Sequence, residues 1–264
     1  MPTLNAINLI VNSLALALSL GFLFIILWHN TKKPKNQFFA VFLIFVLLWN
    51  TGSLLVQAVM VTQMEAPLLL LASGIMETGF AGGSIACYAL ATVLVGVQTQ
   101  RFRVLAFLGI GFVVTYRLFL IVSNPELNTT TIDENLQNFQ QQYHTITISF
   151  YTLFNLTTAY VMWHYRRRIE FTLFFWGIGI FIVGQSLTFL NPSLTFATLS
   201  TSIGSIGAFI ISIAVFQSEI IRPLNERNSQ VESIHQVSLA ITSQTASDKI
   251  LDEIGQTDSR VVAC

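Results

Sequence analysis

The residue pattern predicts an all-α membrane protein: a bundle of seven transmembrane helices with the N-terminus outside, the C-terminus cytoplasmic, and a C-terminal juxtamembrane helical tail. Three observations predict it. Charged residues make up only 10% of the 264 and hydrophobic residues 53%, with a mean hydropathy of +0.66. A soluble domain carries about 25% charged residues, so a chain this poor in charge cannot cover a water-facing surface and takes lipid as its solvent. Next, seven windows are long and apolar enough to cross a bilayer core, which needs roughly 20 residues at 1.5 Å rise each. Finally, between the windows, basic residues occur only in every second connection.

The first window, about 5–28, has no basic residue ahead of it and is longer than a signal-peptide core, so a retained helix is expected there. Lys32-Lys33-Pro34-Lys35 separates it from the second window, about 38–62, which Glu65-Ala66-Pro67 closes. The third, about 68–97, ends before Arg101-Phe102-Arg103, and the fourth, 104–123, before Asn124-Pro125. The fifth, 144–165, runs into Arg166-Arg167-Arg168. Only a tight Asn191-Pro192-Ser193 turn parts the sixth, 171–190, from the seventh, 194–218. All eight basic residues of these breaks follow windows one, three and five, and Arg222 and Arg227 follow window seven. The other connections carry Glu65, Glu126, Asp133 and Glu134 with no Lys or Arg. Since cationic loops stay inside, that alternation sets both the count and the direction.

One sizeable outer loop is expected, about 124–143, polar and acidic, with room for a short helix; Asn128-Thr129-Thr130 in it fits a glycosylation acceptor. The chain divides into the bundle, 1–218, and a cytoplasmic connector, 219–264, with an early break at Pro223. In the connector, Leu224, Val231, Ile234 and Ile241 fall on a seven-residue seam that Arg227 and Ser238 also occupy. Thr245-Ala246-Ser247-Asp248 reads as a new helix start, with Ile250, Leu251 and Ile254 on one face.

Ionisable residues inside a span are functional candidates by default. There are two, Glu77 in helix three and Arg117 in helix four. Helical rise puts them roughly 14 Å and roughly 9–10 Å from the outer ends, so adjacent helices can bring them together as an ion pair. Gln57, Asn155 and Gln185 fall at similar outer-half levels, and Asn50 nearer the middle. The five residues Gln57, Glu77, Arg117, Asn155 and Gln185 form the candidate ligand-binding cluster. Two readings fit them: a polar cavity open to the outside, or interhelical hydrogen bonds with an arginine snorkelling to the headgroups. Small residues recur at packing spacing, Gly79, Gly82 and Gly83 in helix three, Gly177, Gly179 and Gly184 in helix six, and Ser200, Gly204 and Ala208 in helix seven. They serve packing within the bundle or a dimer face. Trp28 and Trp163 suit the inner aromatic belt, and Trp49 and Trp176 lie deeper, in packing or against a pocket.

Several chemistries are disfavoured. The 13 basic and 13 acidic residues balance, which gives no electrostatic case for nucleic acid. Every lysine (Lys32, Lys33, Lys35, Lys249) lies outside the windows, so none can hold a retinal Schiff base, and His29, His144, His164 and His235 lie at helix ends or beyond. No His-x-x-x-His, Cys-x-x-Cys, phosphate loop or nucleophile elbow occurs. The two cysteines, Cys87 in an apolar helix and Cys264 at the end, do not suggest a disulfide. No metal or cofactor is expected.

Three stretches carry a resemblance: MEAPLLLLASGIMETGFAGGSIACYALATVLVGVQTQRFR, the exit VFQSEIIRPLNERNSQVES, and IHQVSLAITSQTASDKILDEIGQ. They resemble the N-terminal seven-helix sensor module of bacterial membrane histidine kinases, the kind followed by a signalling helix and a GAF domain. The resemblance implies a bundle that receives an environmental cue and a seventh helix that passes it inward. The sequence departs from the family by ending at Cys264, before a GAF body, phosphoacceptor helix or ATP-binding domain, and His235 has no phosphoacceptor motif around it. A non-enzymatic input module in the bacterial inner membrane is therefore expected, bounded by lipid and dimeric through helix seven and the connector. The alternative is an accessory or scaffold subunit of a larger photosynthetic or respiratory membrane complex.

Overall fold

The computed structural model describes the backbone of residues 2–29, 32–62, 66–97, 100–123, 134–166, 172–190 and 194–261, and these residues contain helices and turns but no strand. The elements are α1 (Pro2–His29), α2 (Pro34–Thr62), α3 (Ala66–Leu94), α4 (Gln100–Ser123), α5 (Glu134–His164), α6 (Thr172–Leu190), α7 (Leu194–Phe216), a π-helical turn (Gln217–Ile221) and α8 (Arg222–Val261). Expectations about the Asn128 acceptor, Glu65, Arg167, Arg168 and the Asn191-Pro192-Ser193 turn fall outside the described residues. The chain forms two compact units, Met1–Val215 and Phe216–Cys264.

Helix ends follow local chemistry. The Lys33 carbonyl accepts the N–H groups of Asn36 at 3.0 Å and Gln37 at 3.2 Å, with Pro34 at the first helical position of α2, where its missing N–H costs nothing. α3 stops at Leu94 rather than 97 because Gly96 takes a left-handed φ of 75°. Val97 N–H then bonds back to the Thr92 carbonyl at 3.0 Å, and Gly96 N–H to Val93 at 3.1 Å, the paired bonds of a glycine-terminated helix. α5 begins at Glu134, so the second half of the expected 124–143 loop is helical backbone.

In the first unit, α2 packs along α3, α1 against α2, and α3 also meets α4 and α5. Glycines let the backbones close up. A Cβ on Gly79 would stand 2.3 Å from the Trp49 nitrogen, and one on Gly184 would stand 2.5 Å from the Gly204 nitrogen. The small-residue runs of α3, α6 and α7 thus serve packing inside the bundle, though a Cβ on Gly179 would meet nothing within 4 Å. Trp49, Tyr88, Phe39, Phe42 and Phe181 fill the core. The outside is apolar: Trp28, Phe107, Ile10 and Trp176 are among many large side chains more than half exposed. A surface of this kind suits lipid rather than water.

Three helices among the described residues are long and apolar enough to cross a membrane: Ala6–Trp28, Pro34–Val59, and one within Leu199–Leu239. That is fewer than the seven windows. Arg103–Tyr116 and Thr172–Leu187 are apolar but shorter. α5 carries Asn, Gln and Thr, which dilutes its apolar character.

In the second unit, the turn Gln217–Ile221 is wide, with Arg222 N–H bonded to the Gln217 carbonyl. Pro223 supplies no N–H for the carbonyl four residues back, and a wider turn absorbs that defect. α8 then runs 40 residues without interruption. The helix start expected at Thr245–Asp248 is not a break: helix-forming Ala246, Lys249 and Leu251 carry the helix through, and no proline interrupts it.

Candidate functional site

Two buried polar clusters lie in the first unit, and both are built from neutral side chains. The first joins α1, α2 and α7. Asn8 and Asn12, one turn apart on α1, are buried, as are Asn50 and Ser53 on α2 and Thr201, Ser202 and Ser205 on α7. Asn12 Nδ2 donates to Ser53 Oγ at 2.9 Å. The Ser53 and Thr201 hydroxyls are 3.1 Å apart. Ser202 Oγ donates to Asn8 Oδ1 at 3.0 Å. One turn along α7, Ser205 Oγ lies 2.8 Å from Asn50 Oδ1 and 2.7 Å from the Thr201 carbonyl, so one proton serves two acceptors. The same oxygen accepts from Trp49 Nε1 at 2.9 Å. Asn50 Nδ2 donates to the Val46 carbonyl of its own helix at 2.8 Å.

The second cluster joins α3, α5 and α6 around Gln185, which is fully buried. Its Oε1 accepts from Ser84 Oγ at 2.7 Å and from Asn155 Nδ2. Its Nε2 donates to the Phe80 carbonyl at 3.1 Å. Next to it, Ser200 Oγ of α7 donates to the Gly184 carbonyl, a bond the close α6–α7 approach allows. Rings connect the two clusters. Phe80 meets Trp49 edge-on, centroids 5.6 Å apart at 82°, and meets Tyr151 in the same way on its other side. Trp49 also lies against Phe181, at 5.6 Å.

Of the candidate residues, the structure brings Asn155 and Gln185 together. Gln57 lies elsewhere, four residues beyond Ser53 on the α2 face that meets α1 and α7; its Oε1 and Nε2 are buried, with no hydrogen-bond partner among the described residues. Glu77 is half-buried on α3. The Arg117 side chain lies outside what the structure describes, and with it the expected Glu77–Arg117 pair. Trp176 faces outward at 65% exposure while Trp49 is fully buried, so only Trp49 joins the core. Sequence reasoning passed over Asn8, Asn12, Ser53, Ser84, Thr201, Ser202 and Ser205. The signal was present as polar pairs at helical spacing within apolar runs, Asn8 with Asn12, Asn50 with Ser53, and Thr201 with Ser205.

No protein-family model matches this chain, and no curated protein matches it. The site must be read from its own chemistry. No group of three or more His, Cys, Asp or Glu side chains placed for a metal ion occurs among the described residues. Amides and hydroxyls donate and accept hydrogen bonds without changing charge near neutral pH, so these clusters can hold helices in register or bind a neutral guest. Interhelical bonds of this type in bilayers contribute about 0.6 kcal/mol each on average and up to about 1.7. Each is therefore strong enough to select a packing and weak enough to be exchanged.

Proposed function

We propose that the chain is the input part of a bacterial membrane signalling protein, without catalytic activity of its own. The first unit spans the inner membrane seven times, N-terminus outside, and α7 relays a cue received among the helices to α8 in the cytoplasm. The observation that carries this reading is the convergence of the neutral polar bonds on α7. Thr201, Ser202 and Ser205 meet α1 and α2 through individually modest hydrogen bonds. A helix held this way has alternative partners within reach, and a ligand that prefers one pairing shifts the population toward it.

The topology is supported by the alternation of basic and acidic connections and by the succession α1 to α7 within one unit. The resemblance of the α3 region and the exit from α7 to kinase sensor modules supports the signalling class. A homodimer through α8 is supported by its apolar seam: Leu224, Val231, Ile234 and Ile241 are 44%, 66%, 69% and 61% exposed. A seven-residue repeat of exposed apolar groups suits a two-stranded coiled coil.

Gentle solubilisation from native membranes followed by mass determination tests the reading. A homodimer that Ile234→Lys converts to monomer is expected. Stoichiometric co-migration with pigment- or haem-bearing subunits would overturn it in favour of an accessory subunit.

A further inference from the structure

We infer that the Gln57 amide is the recognition group of a binding site for a small uncharged molecule that carries both a hydrogen-bond donor and an acceptor, at the outer end of the α1–α2–α7 seam. The inference rests on the input-module reading above and gives it a ligand class. Asn50, Ser53 and Gln57 follow one another at spacings of three and four, which places them along one stripe of α2. The first two rungs are closed, Asn50 by Ser205 of α7 and Ser53 by Asn12 and Thr201. The third is open. Gln57 Oε1 and Nε2 are both buried, and neither has a hydrogen-bond partner among the described residues.

A buried amide with no partner forfeits its hydration and gains nothing in return, and folded proteins rarely carry one without a purpose. A primary amide offers two donors and an acceptor, so its complement presents both functions together, as an alcohol, a carboxamide or a urea does. The chemistry of the seam argues against an ion. Its described polar groups are amides and hydroxyls plus the Trp49 N–H, and an ionised guest would meet no counter-charge among them. One turn from Gln57, Ser53 touches both α1 and α7. A guest bonded to Gln57 therefore sits beside the contact that selects the α7 packing.

The test uses the full chain in lipid nanodiscs, with melting temperature as the readout and three probes: acetamide and n-propanol, which donate and accept, and methyl acetate, which only accepts. Wild type is expected to show a saturable rise of about 2–4 °C with acetamide or n-propanol and none with methyl acetate. Gln57→Leu, close in volume, is expected to abolish the response and to melt above ligand-free wild type, because an unpartnered amide has been removed. A Gln57→Leu protein that melts lower would mean the protein itself satisfies the amide, and would overturn the proposal. Wild type indifferent to acetamide and n-propanol would also overturn it, leaving at most a buried water at Gln57. If that indifference accompanies an intact homodimer, the site falls while the input-module reading stands.

Discussion

Replacing Gln185 with leucine tests whether the buried amide clusters hold the bundle together. Leucine nearly conserves volume, so the cavity contribution is small and the polar contribution dominates. At least three hydrogen bonds vanish, from Ser84, from Asn155 and to the Phe80 carbonyl. At about 0.6 kcal/mol each in a bilayer, they sum to about 2 kcal/mol. Ser84 keeps an alternative, since its hydroxyl lies 3.2 Å from the Phe80 carbonyl. Among the described residues the Asn155 amide has no second partner and is left buried, which costs a further 1–3 kcal/mol or so. The expected loss is about 3–5 kcal/mol, a fall of roughly 6–20 °C in melting temperature for a chain of this size. Cys87, 1% exposed, is a built-in reporter: in a Cys264→Ser background a thiol-reactive dye reads its exposure on heating. Asn155→Leu combined with Gln185→Leu should cost less than the two single losses added, because the orphaned amide disappears with its partner. Ser186→Ala, beside Gln185 but exposed and bonded only within its own helix, should stay within about 0.5 kcal/mol of wild type. A Gln185→Leu protein that melts with wild type would refute the reasoning.

Two further outcomes are expected. Gly79→Ala places a methyl group 2.3 Å from the Trp49 backbone and should cost about 1–3 kcal/mol by forcing α2 from α3, whereas Gly179→Ala meets nothing within 4 Å and should be neutral or slightly stabilising; the same thermal assay separates them. Trp49→Phe keeps most of the ring packing but removes the Nε1 bond to Ser205, so a loss of about 0.6–1.7 kcal/mol is expected, and it should largely vanish in a Ser205→Ala background.

Most of the first seven helices were legible in the sequence because each holds a contiguous apolar run bounded by charge, proline or glycine. Asn155 and Gln185 were legible as candidates, though not as partners, because large amides in mid-helix stand out against Leu, Ile and Phe. Ser84, which also bonds Gln185, did not stand out, since serine satisfies itself on the preceding turn of many helices and looks ordinary there. Asn8, Asn12 and Thr201 were missed for another reason. Their meaning depends on α1, α2 and α7 lying side by side, and on the rotation of each helix, which close glycine contacts elsewhere help to set. Neither adjacency nor rotation is written in a linear string. A short helix was expected to fit within 124–143, but the continuity of 134–143 with α5 was obscured by its polarity, and the continuity of α8 by a Thr-Ala-Ser-Asp run that favours helix starts without requiring one.

In the proposed topology the basic connections all face the cytoplasm and the seventh helix leads inward. Single added cysteines at Thr62, Lys33, Arg103 and Arg166, in a Cys264→Ser background that keeps only the buried Cys87, can be probed in intact cells with a membrane-impermeant thiol reagent. Labelling from outside is predicted at Thr62→Cys alone, with the other three reacting only after the membrane is opened. Labelling of Arg166→Cys or Lys33→Cys in intact cells would contradict the account.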